Sequence, residues 1–140
     1  MNHPKIRQLA FALLPFALAG LLTGCGGPPQ YTVSGEVKVN GVPLEKGTIS
    51  FAPAEGKGHA ASAEIQNGHY EVRTTAGKKV VQISAPIVTG KRKAYSGPDA
   101  PMMDMTAESL PARYHTKSEL TFDVQTGSNS KDWLLDVKKP

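Results

Sequence analysis

The 140-residue chain holds a single cysteine, which excludes an internal disulfide framework and any Cys-rich zinc site. Its apolar run at residues 9–22 (LAFALLPFALAGLL) is 14 residues long, short of the roughly 20 that a membrane-spanning helix needs. Catalytic signatures are missing too. There is no Gly-x-Ser-x-Gly elbow, no His-Glu-x-x-His, no Walker loop and no Gly-x-Gly-x-x-Gly. Charge of one sign is scarce: 16 Lys plus Arg stand against 12 Asp plus Glu. Without residues 1–24, which carry Lys5 and Arg7, the balance is 14 against 12, a net +2 on 116 residues. That is no nucleic-acid footprint, because phosphate binding needs Lys and Arg clustered on one face. Glycine (14) and proline (11) are plentiful, and they favour a turn-rich β domain over a helical bundle.

The short apolar run follows a basic n-region, so residues 1–24 read as a signal peptide rather than part of the fold. The run ends in Leu22-Thr23-Gly24-Cys25, which resembles the bacterial lipobox. The resemblance implies diacylglyceryl attachment to Cys25, cleavage after Gly24 and acylation of the new terminus. Two or more acyl chains hold a soluble domain durably at a membrane, whereas one does not. Residues 25–30 then form the lipidated Cys and a tether, in which Gly26-Gly27 is flexible and Pro28-Pro29 extended. Five tether residues span roughly 17 Å at most. The expected address is the cell envelope, periplasm-facing or surface-exposed. Gly26 is not the aspartate that retains enteric lipoproteins in the inner membrane, and this favours the outer one.

From Tyr31 onward the apolar period is two. Tyr31, Val33, Gly35, Val37 and Val39 alternate before Asn40-Gly41, a strong hairpin signal. Ile49 and Phe51, then Ala61, Ala63 and Ile65, continue the pattern up to a second turn at Asn67-Gly68. Tyr70 and Val72, residues 79–85, Leu120 with Phe122 and Val124, and Trp133 with Leu135 and Val137 complete seven strands. The spacing predicts a seven-stranded antiparallel β-sandwich over residues 31–140, interrupted by a long loop at 86–109.

The segment at residues 35–51 (GEVKVNGVPLEKGTISF) resembles the opening of a carboxypeptidase regulatory-like, or transthyretin-like, domain. The remainder is similar to small lipoproteins of planctomycete bacteria, which share the lipobox, Gly68-His69-Tyr70-Glu71, residues 77–85 (GKKVVQISA), residues 108–114 (ESLPARY) and Ser118-Glu119-Leu120. The resemblance implies a prealbumin-like sandwich attached to a membrane, and no established activity. His115 stands where that pattern expects Asn. The Tyr-Arg-Gly-Ser ending of the related hydroxyisourate hydrolases has no counterpart.

Candidate contacts concentrate in the long loop, because scaffolds carry recognition on loops. Lys91, Arg92, Lys93 and Tyr95 read as a partner-contact cluster, with anionic lipid head groups as a secondary target. Met102, Met103 and Met105 pack three thioethers into four residues, a donor set that suits Cu(I). The plainer reading is that they cover an apolar rim. His59, His69 and His115 show no spacing that demands a catalytic triad. Tyr114 is expected to bond to backbone as a tyrosine corner, with Arg113 paired to Glu108 or Glu119. The expected function is a membrane-anchored, non-enzymatic binding or assembly module without cofactor, for another envelope protein or a surface polysaccharide. The alternatives are a copper-handling protein and an enzyme of unrecognised motif.

Overall fold

Two Asn-Gly pairs set the first bends. Asn40 and Gly41 (φ 50° and 82°) and Asn67 and Gly68 (φ 51° and 84°) all adopt the left-handed conformation, the geometry of a type I′ hairpin turn. Between and beyond them the computed structural model, which describes residues 26–138, is all β. The strands are β1 (Gln30–Val39), β2 (Val42–Pro43), β3 (Lys46–Pro53), β4 (Ala61–Gln66), β5 (His69–Thr75), β6 (Gly77–Ser84), β7 (Pro86–Lys93), β8 (Met102–Glu108), β9 (Thr121–Val124), β10 (Asn129–Ser130) and β11 (Trp133–Leu135). One 3-10 turn, Ala112–Tyr114, precedes β9. Residues 1–24, expected to be a signal peptide, and Cys25, the expected lipidation site, lie outside the described residues.

All seven strands expected from the period are present, as β1, β3, β4, β5, β6, β9 and β11. The main sheet runs β10-β1-β5-β4-β3-β6-β9, with β2 and β11 also on β1. β4 and β5 share only one register pair, Gln66 with His69. The sheet therefore folds at this corner, and β1 with β5 faces β4-β3-β6-β9 across the core. Phe51 of β3 meets Tyr70 of β5 there, with ring centroids 6.2 Å apart. Val33, Val37, Ile49, Phe51, Ile65, Val81, Ile83 and Leu135 are fully buried in one cluster. A buried aliphatic side chain of this kind contributes roughly 1.5–3 kcal/mol relative to exposure.

Two expectations are corrected. The pairing is not antiparallel throughout, because β10 and β11 run parallel to β1. The chain can arrive parallel because residues 40–128 bring it around the whole sandwich first. The segment at 86–109 is not a long loop either. β7 and β8 form an antiparallel hairpin from Pro86↔Glu108 to Lys93↔Met102, with an irregularity between Val88 and Gly90.

The parallel seam depends on a glycine. A Cβ on Gly35 would stand 2.0 Å from the Lys131 carbonyl oxygen and 2.6 Å from its carbon. That carbonyl accepts the Tyr70 hydroxyl at 2.7 Å, and the Tyr70 oxygen in turn accepts the Trp133 indole N–H at 3.2 Å. Burial, only partly offset by the Trp133 hydrogen bond, pushes the Tyr70 phenol up to about 12. Gly35→Ala should lower the unfolding free energy by about 1–3 kcal/mol, the range of an overpacked core, read from the urea midpoint. An unchanged midpoint would mean that the Lys131 carbonyl is free to move aside.

Candidate functional site

Strand alternation decides what the 86–109 hairpin presents. Directly opposed residues of an antiparallel pair share a face. The register therefore places Ile87, Ala107, Met105, Gly90, Met103 and Arg92 on one face. Val88, Thr106, Lys91, Asp104, Lys93 and Met102 occupy the other. The first face is largely apolar with Arg92 at its far end, and the second is mixed. β7 and β8 are exposed along nearly their whole length, and the hairpin pairs with no other strand. Ile87 is 53% exposed, Met103 49% and Met105 46%. A two-stranded ribbon is marginal alone in water, so its shape must come from its base and its turn.

Both are fastened. Glu108 accepts the backbone N–H of Ala85 at 2.8 Å and of Leu110 at 3.0 Å, together with the Ser84 hydroxyl. Ser109 donates to the Ala85 carbonyl through its hydroxyl at 2.6 Å. Burial would raise the Glu108 carboxyl, but these three donors and the neighbouring His115 outweigh it and hold it below the usual carboxylate range. At the other end Ala94 N–H donates to the Pro101 carbonyl, Lys93 reaches the Gly97 carbonyl, and Tyr95 lies against Gly97.

The basic triplet does not form one cluster. Arg92 sits on the apolar face, while Lys91 and Lys93 sit opposite, with Lys91 3.7 Å from Asp104. That pair is exposed and contributes little. Tyr95 lies in the connecting turn and is 59% exposed. The three thioethers do not converge. Alternation puts Met103 and Met105 on one side of β8 and Met102 on the other, so one hairpin cannot bring all three to a single ion. No group of three His, Cys, Asp or Glu suited to a metal occurs among the described residues.

Tyr114 is buried and does bond to backbone, but to a strand end 22 positions downstream. Its hydroxyl donates to the Asp136 carbonyl and accepts the Asp136 N–H, each at 3.0 Å. Arg113 is not paired with Glu108 or Glu119. It donates to the Asp136 carbonyl and lies 4.9 Å over the Tyr114 ring. His115 Nε2 stands 3.0 Å from the Leu110 carbonyl, closing the 3-10 turn. Sequence reasoning missed Lys79, which is 2% exposed. Its signal was available, because Lys79 falls in step with Val81 and Ile83 on the inward face of β6.

No family model and no curated protein matches the chain. Among solved structures it is similar to a 9R-lipoxygenase from Cyanothece PCC8801, at 10% identity and TM-score 0.37, over 77% of this chain and 16% of that one. It is also similar to the dioxygenase domain of a dioxygenase carbohydrate-binding protein fusion from Streptomyces sp. SirexAA-E. That match has 18% identity and TM-score 0.38, over 84% of this chain and 86% of the other. Likenesses this distant carry no argument about activity.

Two outcomes follow from the geometry. Because the folded Glu108 carboxyl is held below its unfolded value, the clamp is fully present above the ordinary carboxylate range, about pH 4.3. It is lost as pH falls through the lowered folded value. Hydrogen-exchange protection of the Ala85 and Leu110 amides should drop in that acid window, and Glu108→Gln should abolish the transition. Tyr114→Phe should cost about 1–2 kcal/mol, measured by chemical unfolding, since it strips a donor from the Asp136 carbonyl and an acceptor from its N–H.

Proposed function

We propose that the chain is a membrane-anchored envelope lipoprotein acting as a non-enzymatic binding module, with the β7–β8 hairpin as its recognition arm. The observation that carries this reading is an ordered ribbon that adds nothing to the core and yet displays Ile87, Met103, Met105 and Ala107 on one face. Exposed apolar surface that is built rather than incidental points to an interaction site. Met side chains suit a partner surface because they repack at low cost. The apolar face favours an envelope protein over a polysaccharide, which would require a polar hydrogen-bonding surface.

The tether supports this polarity. Gln30 opens β1 opposite Thr75, beside the start of β6, whereas the hairpin leaves from the end of β6. Eight residues of β6 separate the two points, about 26 Å at 3.3 Å per residue. With Cys25 lipidated, the hairpin base lies at the end of β6 away from the anchor, which argues against head groups as its target.

The test is photo-crosslinking in cells from either face of β8. Probes at Met103 and Met105 should capture one protein that a probe at Met102 captures weakly. Cys25→Ser should abolish acyl labelling and reduce the capture. Equal capture from both faces, or capture of lipid alone, would defeat the reading.

A further inference from the structure

The β7–β8 hairpin has two free edges, and they differ. Its sheet holds these two strands alone, so the outer backbone groups of each meet no third strand. β7 begins at Pro86, which has no N–H to offer, contains the irregularity between Val88 and Gly90, and ends in Lys91, Arg92 and Lys93. Proline, a break in register and consecutive cations are the features that keep an edge from pairing with another chain. β8 (MMDMTAE) has no proline and no cation, and it is exposed along its whole length.

The direction of the β8 backbone groups follows from hydrogen-bond alternation. In an antiparallel pair every second residue turns both N–H and C=O to the partner strand, and the residues between turn both away. Ala94 N–H donates to the Pro101 carbonyl at 2.9 Å, and Ser109 N–H donates to the Ala85 carbonyl at 3.2 Å. Steps of two from Pro101 and from Ser109 reach the same residues, Met103, Met105 and Ala107, as those turned to β7. The Met105 carbonyl also accepts the Thr89 hydroxyl of β7, at 3.3 Å. Met102, Asp104, Thr106 and Glu108 therefore aim their backbone groups at the open edge.

We propose that this edge pairs antiparallel with the β8 edge of a second copy of the chain, about a two-fold axis at Met105. In that register Asp104 stands opposite Thr106 of the second copy and Met102 opposite its Glu108, so all four outward residues find hydrogen-bonding partners. Met105 meets Met105 and Met103 meets Ala107 on the apolar face. The other registers of the same alternation are worse. An axis at Asp104 opposes that carboxylate to itself, and an axis at Thr106 opposes Asp104 to Glu108. Like charges directly opposite destabilise a sheet. An axis at Met103 carries Thr106 and Glu108 past the end of the second β8. The product is a four-stranded sheet, which removes the marginality of a two-stranded ribbon. The pairing uses the backbone edge and leaves the apolar face, now contributed by both copies, to the partner proposed above; it stands without that partner.

The full chain in a density-matched uncharged detergent should sediment with twice the mass of one copy. Thr106→Asp puts a carboxylate opposite Asp104 on both sides of the axis. It should raise the dimer dissociation constant about tenfold, and less at high salt. Thr106 is exposed, so the thermal unfolding of the sandwich should not move. Met105 marks the axis: a non-hydrogen-bonded pair holds its Cα atoms about 4.5 Å apart, within disulfide reach. Met105→Cys should oxidise to a covalent dimer that the parent chain, with Cys25 as its one cysteine, does not form. Met102→Cys, opposite Glu108, should not link. A monomer at every concentration, a dimer indifferent to Thr106→Asp, or equal linkage from Met102→Cys and Met105→Cys would overturn the proposal.

Discussion

The backbone approaches so closely at Gly35 that no Cβ fits, and the parallel seam on β1 depends on it. Only a residue without Cβ lets the Lys131 carbonyl reach the Tyr70 hydroxyl. Once that carbonyl is in place, the chain on either side of it is stitched to β1. Lys131 N–H donates to the Ser34 carbonyl, Glu36 N–H donates to Asp132, and Asn40 exchanges two hydrogen bonds with Val137. The seam carries Trp133 and Leu135 into the core beside Val37. The rest of the sheet is antiparallel, through the hairpin neighbours β3–β4 and β4–β5 and the longer-range pairings β1–β5, β3–β6 and β6–β9. Among the described residues this edge alone joins strands about a hundred positions apart, and it extends the curled sheet beyond β1.

β6 organises the remainder by having two different ends. Its start lies beside Gln30, with the buried Lys79 on its inward face. Its end passes through Ser84 and Ala85 into the Glu108 clamp and the hairpin. Val81 and Ile83 between them are fully buried, so the two ends are held at fixed separation by the best-packed part of the core.

Legibility followed burial. The seven strands that sandwich the core were readable because each has one buried and one wet face, which writes a period of two into the residues. The hairpin has two wet faces and no such period, and Lys91, Arg92 and Lys93 obscure it further, so it read as loop. The same lack of pattern hid the split of those three cations between faces, which follows from register and not from composition. Tyr114 announced a backbone contact, while its partner Asp136 depended on how the last strand returned.

What the residues determined alone is local: two type I′ turns at Asn-Gly, a period-two core, and the glycine-rich connections between strands. Chain chemistry over a few positions suffices for these, because steric maps and alternation act between near neighbours. Tertiary structure alone decided the parallel seam, the split of Lys91 and Lys93 from Arg92 between the two faces of the hairpin, and the separation of the hairpin from Gln30 by the length of β6. Each depends on how separate segments meet, and their meeting is set by how the strands pair and the sheet curls around its core rather than by any property of the segments themselves.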